Sequence, residues 1–192
     1  MRPKRIVLSG APSSGKSTAL EAIRQSLGDK VILVPESAVV LLSGGFPSPS
    51  HDDLEQIHAF QKAILSVQEN LESICDRKNV QRLPMIFDRA KLDGAGFWPP
   101  GPEHYLATFS VDLKAELARY DHVVFLELPE EEFFGGLLKT RFHDYKQSKE
   151  SETQLASVWS QHLSFQRIPA QKDFSKKIEN VLSVINSLIS RT

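Results

Sequence analysis

Short apolar runs alternate with longer amphipathic segments along the chain. The runs have the length of buried strands, whereas the amphipathic segments carry apolar residues at helical spacing. Strands that are separated by helices form a parallel sheet with helices on both faces. The pattern therefore predicts an α/β fold with three layers and a five-stranded, mostly parallel sheet. The predicted strands are 5–9, 31–34, 85–87, 123–128 and 165–169, and the predicted helices are 16–27, 52–76, 114–119, 151–164 and a last one containing Ile178 to Ile189.

Glycine, proline and capping residues indicate where these elements end. Gly28 follows the apolar positions of the first helix and predicts its end. The stretches 43–50 and 94–104 are rich in glycine and proline and predict loops. Ser151 and Gln154 resemble a capping box at the start of the helix 151–164. With 192 residues and without repeats or linkers, the chain is expected to form one domain over 1–192.

Residues 10–18 read GAPSSGKST, which fits the phosphate-binding pattern G-x-x-x-x-G-K-[ST]. The two glycines allow the backbone to aim N–H groups at phosphate oxygens, Lys16 adds a positive charge, and the Ser17 hydroxyl is placed to bind Mg²⁺. The strand before this segment and the helix after it argue against a chance match, and together they predict a P-loop NTPase fold. The predicted nucleotide-binding residues are Gly10, Ser13, Ser14, Gly15, Lys16, Ser17 and Thr18.

Charged residues follow two further strands at their carboxyl ends, where ligands of an open parallel sheet bind. Glu36 follows the second strand, and Asp88-Arg89 follows the third. Phosphoryl transfer requires carboxylates that hold Mg²⁺ or orient the acceptor, and cations that neutralise developing charge. Alternatively, these residues are polar strand caps, and Arg89 pairs with Asp93. The expected catalytic residues are Lys16, Glu36, Asp88 and Arg89, and the expected metal ligands are Ser17 and Asp88.

With these motifs, the chain resembles the P-loop kinase-like ATPases, small AAA-type ATPases that include the ribosylnicotinamide kinase domain and relatives fused to triphosphate-tunnel domains. VPES followed by FDR is also similar to deoxynucleoside kinases. The resemblance implies that Glu36 is the base towards a sugar hydroxyl, that Asp88-Arg89 is an acidic-Arg pair, and that the nucleotide is ATP. The matching segments cover nearly the whole chain: VLSGAPSSGKST, VPES at 34–37, FDRAKLDGAGFWPPGP at 87–102, YDHVVFLELP at 120–129 and WSQH at 159–162.

Two further segments are candidates for substrate and lid contacts. Asp93, Phe97 and Trp98 follow the third strand on the ligand side of the sheet, where a flat ring could stack on an aromatic substrate. Alternatively, Trp98 packs into the core. Residues 139–150 carry many charges and few apolar anchors, which predicts a lid. Relatives usually have Arg-x-Glu there, and this chain lacks that arginine. The lid candidates are Lys139 and Arg141, and Lys146 and Lys149 are further candidates.

Composition narrows the classes of partner. A net charge of −1 argues against a surface that coats nucleic acid, and no apolar run approaches transmembrane length. The single cysteine, Cys75, excludes an intramolecular disulfide and a cysteine-rich zinc site. We therefore expect a cytoplasmic enzyme that binds a nucleotide and a small molecule and has no nucleic-acid or membrane partner. Its oligomeric state stays open.

Three classes of function are compared with these features. The first is a Mg²⁺-dependent kinase that transfers the γ-phosphoryl group of ATP to a nucleoside, nucleotide or cofactor-like acceptor. The second is an ATP hydrolase or an ATP-regulated binding module without an acceptor. The third is a GTPase switch, which is disfavoured because the sequence has no Asn-Lys-x-Asp segment. The kinase is favoured because Glu36 has a role as a base only where an acceptor is present.

Overall fold

The computed structural model describes residues 2–134 and 144–190. Its strands β1 (Arg5–Gly10), β2 (Ile32–Val34), β3 (Met85–Asp88), β4 (His122–Leu126) and β5 (Phe165–Ile168) form one parallel sheet in the order β2-β3-β1-β4-β5. The α-helices in this part of the chain are α1 (Lys16–Leu27), α2 (Ser37–Ser43), α3 (Leu54–Lys78), α4 (Pro102–Thr108), α5 (Leu113–Leu117), α6 (Tyr145–Trp159) and α7 (Phe174–Ser190). Short 3₁₀ helices span Gly28–Lys30, Lys91–Phe97 and Glu131–Phe133.

Alternate residues of β1 point to opposite faces of the sheet and belong to two separate cores. Val7 packs in the core that α3, α4 and α6 cover, where Trp98 and Trp159 are the largest buried side chains. Ile6 and Leu8 pack on the other face against α1 and α7. Because helices cover both faces, the predicted three-layer α/β architecture with five strands is confirmed.

The predicted start of the helix 151–164 was wrong. Helix α6 begins at Tyr145, and its capping box is formed by Asp144 and Gln147, whose side chains each accept the backbone N–H of the other residue. Ser151 instead lies buried inside the helix. The serine and the later glutamine have the spacing of a capping box, but a cap of the same kind seven residues earlier starts the helix.

The predicted loop 94–104 contains helical structure at both ends. The 3₁₀ helix Lys91–Phe97 occupies its first part, and α4 begins at Pro102 after Gly101, which has a φ of 94°. Proline at the first helical position favours this start because its fixed φ suits a helix. Helix α2 was not predicted at all, because its apolar residues follow Pro35-Glu36 without a polar face. No helix within 2–134 or 144–190 is long and apolar enough to cross a membrane.

Gly96 brings the 3₁₀ helix Lys91–Phe97 into direct contact with α6. A Cβ atom at this position would lie 2.3 Å from Cγ of Leu155, a side chain with no exposed surface. Such a separation is far inside van der Waals contact, so a larger residue requires one of the two elements to move. The close packing of this glycine therefore sets the distance between α6 and the end of β3.

We expect Gly96→Ala to lower the free energy of unfolding by about 1–3 kcal/mol, the usual effect of overpacking a core. Denaturant unfolding of wild type, Gly96→Ala, Leu155→Ala and the double variant measures it. The double variant should lose less than the sum of the two single changes, because removing the Leu155 side chain relieves the overlap. Strictly additive losses would show that the two residues do not meet.

Candidate active site

The P-loop, residues 10–18, turns sharply between β1 and α1. Gly10 has a φ of 148°, and a Cβ atom there would lie 2.6 Å from the carbonyl oxygen of Leu126. Gly15 has a φ of 92° and caps the N-terminus of α1, whose first backbone N–H groups have no partner within the helix. Residues 11–18 line a large cavity. The hydroxyls of Ser13 and Ser14 are buried and find no hydrogen-bond partner in the described chain, so the donor set fits phosphate oxygens.

Lys16 is buried between two carboxylates at the carboxyl edge of the sheet. Its Nζ lies 3.1 Å from Oε2 of Glu36 and also forms an ion pair with Asp88. Glu36 is the N-cap of α2, two residues after the end of β2, and Asp88 is the last residue of β3. Parallel strands thus bring both carboxylates to the edge where β1 ends in the P-loop, as the strand-end rule predicts.

Arg89 links Glu36 to the backbone of the P-loop and to Asp93. It has a φ of 67°, a conformation that is uncommon for a residue other than glycine. Its Nε lies 3.2 Å from Oε1 of Glu36, and its Nη1 donates to the carbonyl oxygen of Gly10 at 2.8 Å. Nη1 also lies 3.0 Å from Oδ1 of Asp93, so the alternative pairing considered from the sequence coexists with the contact to Glu36.

Asp93 is buried and fully engaged with donors of the protein. Its Oδ1 accepts the Ser9 hydroxyl at 2.6 Å in addition to Arg89. Its Oδ2 accepts the backbone N–H of Ala90 at 3.0 Å and Nε1 of Trp159 at 3.1 Å. Asp93 therefore lies behind Arg89 and does not line the large cavity. The predicted contact between Asp93 and a substrate would require Asp93 to line it.

Burial and charge move the pKa values of the two carboxylates in opposite directions. Burial disfavours ionisation of Glu36, but Arg89 and Lys16 together hold the pKa of this carboxyl below its usual value. Burial and the charge of Glu36 raise the pKa of Asp88, against the effect of Lys16. Glu36 therefore keeps its negative charge at neutral pH, which is the state in which a carboxylate can accept a proton.

The large cavity has a volume of about 650 Å³ and combines the P-loop with an apolar end. This size is typical of sites that enclose small ligands. Glu36 and Arg89 line it as well. The apolar end is formed by α2, the loop 48–51, α3 and the segment 96–99, with side chains that include Leu42, His51, Ile57, Phe60, Gln61, Ile64, Phe97 and Trp98.

The two predicted aromatic contacts differ in how far they are available to a ligand. Phe97 lines the cavity. The guanidinium carbon of Arg89 lies over the Phe97 ring, 4.9 Å from the ring centroid. Trp98 is 2% exposed, donates from Nε1 to Nδ1 of His104 at 2.9 Å, and packs edge-on against Phe109. Trp98 thus adopts the core-packed arrangement, the alternative drawn from the sequence, while it still forms part of the cavity wall.

Gln61 on α3 is a cavity residue that sequence reasoning missed. Its side chain is 4% exposed, and its Oε1 has no hydrogen-bond partner in the part of the chain that the structure describes. A buried amide oxygen without a donor is costly, which is typical of a group that binds a ligand or water. A glutamine on an amphipathic helix carries no sequence signal that distinguishes it from its neighbours, so only the folded arrangement identifies it.

The predicted metal ligands suit Mg²⁺ that arrives with a nucleotide. Ser17 is exposed at the start of α1 and lines the cavity, and Asp88 lies beside Lys16. Within the described ranges, no group of three or more His, Cys, Asp or Glu side chains could hold a metal ion. Mg²⁺ is usually bound by one or two carboxylates together with substrate phosphates, so one carboxylate and one hydroxyl fit this pattern.

Of the predicted lid cations, Lys139 and Arg141 lie outside the described residues. Lys149 pairs with Glu152 of the same helix, and hydrogen bonding to that carboxylate raises the pKa of Lys149. The α6 residues that line the cavity are Gln147, Glu150, Ser151 and Gln154. The start of α6 therefore presents neutral and acidic side chains to the cavity.

Comparison with known proteins shows the fold and the family of this chain. A chain of deoxyadenosine kinase from M. mycoides with bound dATP is structurally similar, with a TM-score of 0.64, 16% sequence identity, and coverage of 95% of this chain and 99% of that chain. This likeness shows the fold, which is that of the P-loop NTPases. No curated protein matches the sequence. A family model described as an AAA domain matches residues 5–177, which include the P-loop, Glu36, Asp88 and Arg89. The chain therefore belongs to this family of P-loop AAA domains.

Proposed function

We propose that this chain is an ATP-dependent phosphotransferase that moves the γ-phosphoryl group of Mg-ATP to a nucleoside, nucleotide or cofactor-like small molecule. The observation that carries the proposal is the position of Glu36, a carboxylate on the same cavity as the P-loop and in ion pairs with Lys16 and Arg89. A base at this place has a chemical role when an acceptor hydroxyl lies beside it. The fold shared with deoxyadenosine kinase supports nucleosides as the first acceptors to test.

Nucleotide binding would rearrange the ion pairs of Lys16. Phosphate oxygens compete with Glu36 and Asp88 for the ammonium group, because a P-loop lysine binds the β- and γ-phosphates. Once Lys16 contacts phosphate, Glu36 keeps Arg89 as its cationic partner. The loss of one of two cations raises the pKa of Glu36 and makes it a stronger base. Glu36 would thus gain basicity when the phosphoryl donor is in place.

In the transfer step, Glu36 accepts the proton of the acceptor hydroxyl while the acceptor oxygen bonds to the γ-phosphorus. The bond from the γ-phosphorus to the bridging oxygen breaks, and ADP leaves. Arg89 places positive charge beside Glu36, where the negative charge of the transferring group develops. Ser17 and Asp88 would hold Mg²⁺, which neutralises phosphate charge when bound.

The apolar end of the cavity would hold the acceptor. Phe60 and Ile64 of α3 and the ring of Phe97 offer apolar surface suited to a flat group. The unpaired Oε1 of Gln61 accepts a hydrogen bond and therefore selects an acceptor that presents an N–H or O–H group. These side chains support an acceptor with a planar, partly polar ring, such as a nucleobase or a related heterocycle.

The first test is Glu36→Gln, assayed with an acceptor found in a thermal-shift screen in the presence of Mg²⁺ and a non-hydrolysable ATP analogue. The amide cannot accept the acceptor proton, so phosphoryl transfer should fall by about 10²–10⁴-fold, the usual effect of general-base catalysis. Affinity for the analogue should not fall, because Glu36 makes no contact with phosphate in this proposal and competes with it for Lys16. Glu21→Gln, an exposed acid of α1, serves as the matched control.

Two results would contradict the kinase. If no nucleoside, nucleotide or cofactor in a broad panel gains phosphate, the proposed phosphate acceptor does not exist among these compounds. Slow ATP hydrolysis that continues unchanged in Glu36→Gln would show that this carboxylate takes no part in the chemistry. The pair of results would instead support an ATP hydrolase or an ATP-regulated binding module.

Asp88→Asn should behave differently from Glu36→Gln. If Asp88 holds Mg²⁺, its loss weakens binding of Mg-ATP as well as lowering the rate, and raised Mg²⁺ concentrations recover part of the activity. The measurement is the Mg²⁺ dependence of analogue binding and of phosphoryl transfer in both variants. Equal Mg²⁺ dependence in wild type and Asp88→Asn would exclude Asp88 as a metal ligand.

A further inference from the structure

Lys177 is a buried lysine on α7 that lies directly behind the P-loop. Its side chain is 2% exposed. The Nζ atom donates to the backbone carbonyl of Ser14 at 2.8 Å and to the backbone carbonyl of Glu127. Ser14 belongs to the P-loop, and Glu127 directly follows β4. One ammonium group therefore connects α7, the P-loop and the end of a central strand.

A second contact joins the same turn of α7 to the P-loop. Phe174 lies three residues before Lys177, on the same face of the helix. A Cβ atom on Gly15 would lie 2.6 Å from the Phe174 ring, so the ring packs directly against the glycine backbone. The P-loop is thus supported from behind at two successive residues, Ser14 and Gly15.

The hydrogen bond to Ser14 has a consequence for the adjoining peptide. In a trans peptide, the carbonyl of one residue and the N–H of the next point in opposite directions. Because Lys177 holds the Ser14 carbonyl towards α7, the N–H of Gly15 points away from α7. Residues 11–18 line the cavity and Lys177 does not, so we infer that the cavity lies on the other side of the P-loop, where phosphate oxygens would bind.

We propose that Lys177 is a positioning residue for the phosphate site, because its ammonium group holds the Ser14 carbonyl at the back of the P-loop and aims the Gly15 N–H at phosphate. This inference rests on the nucleotide binding that the proposed function requires. It assigns Lys177 no contact with nucleotide or acceptor. The role of Lys177 is to set the direction of a backbone donor.

The charge of Lys177 allows a second measurement of its role, the pH dependence of phosphate affinity. Burial lowers the pKa of Lys177 to about 8, while Glu152 of α6 and Glu127 partly oppose this effect. Glu127 also pairs with Arg167, and Glu152 with Lys149, while the P-loop contributes a backbone carbonyl. Bound phosphate favours the charged amine, so phosphate affinity should be full below pH 8 and decline as the pH rises above it.

The test compares Lys177→Met with Lys176→Met, its exposed neighbour on α7. ADP and tripolyphosphate, each with excess Mg²⁺, serve as probes in calorimetric titrations at pH 7. We expect Lys177→Met to bind both probes about 10- to 100-fold more weakly, the range for losing a hydrogen bond to a charged group. Lys176→Met should bind like wild type. Circular dichroism and thermal unfolding without ligand establish that binding is measured on folded protein.

Two additional measurements separate positioning from a structural role. Lys177→Gln keeps an N–H donor without the charge, should bind ADP with intermediate affinity, and serves as the main variant where Lys177→Met does not fold. The decline of ADP affinity between pH 7.5 and 9.5 should be present in wild type and Lys176→Met and absent in Lys177→Met, in a range set by the pKa of about 8. A structural role alone would not remove this pH dependence.

The inference is overturned if folded Lys177→Met or Lys177→Gln binds both probes as tightly as Lys176→Met, or if the pH dependence is the same in all variants. Neither probe requires an acceptor. A chain that binds ADP and phosphorylates nothing would therefore refute the proposed phosphotransferase while these comparisons still decide the role of Lys177. A wild type that binds neither probe would refute both proposals.

Discussion

The ion pairs of Lys16 are the interaction on which the site depends. A single buried ammonium group lies between Glu36 after β2 and Asp88 at the end of β3, and it belongs to the loop that follows β1. Three neighbouring strand ends are thus joined by charge as well as by the backbone ladder. Removing one partner of a buried ion pair costs about 3–5 kcal/mol, since the remaining charges stay desolvated. The same ammonium group is the one that phosphate would bind.

Support for Glu36 reaches well beyond its immediate neighbours. Arg89 contacts Glu36, and Asp93 holds Arg89 from behind. Asp93 is in turn fixed by the Ser9 hydroxyl on β1 and by Nε1 of Trp159 at the end of α6. A buried network with this many hydrogen bonds holds its members in one arrangement, because each lost hydrogen bond leaves a buried polar group unpaired. The left-handed backbone of Arg89 is accommodated within this network.

Local spacing and chain order allowed much of the fold and site to be predicted. The P-loop is contiguous, and the positions of Glu36 and Asp88 follow from the rule for parallel strand ends, although Lys16 and Asp88 are 72 residues apart. The remaining features depend on contacts for which the sequence has no pattern. Trp159 meets Asp93 across 66 residues, and Lys177 meets Ser14 across 163. The start of α6 was missed because two pairs of residues have the spacing of a capping box, and the sequence alone does not show which of them caps the helix.

The charges of the site favour a nucleotide that carries its metal ion. Lys16 and Arg89 contribute two positive charges, whereas Glu36, Asp88 and Asp93 contribute three negative ones when all are ionised, which leaves a net charge of −1. A bare polyphosphate would add to this negative charge. A divalent cation bound by Asp88 reverses the balance and frees Lys16 from one carboxylate. Burial, together with the negative charge of Glu36, raises the pKa of Asp88, and a metal ion at this carboxylate would oppose that effect. Within the proposed function, metal and nucleotide are therefore expected to bind as a unit.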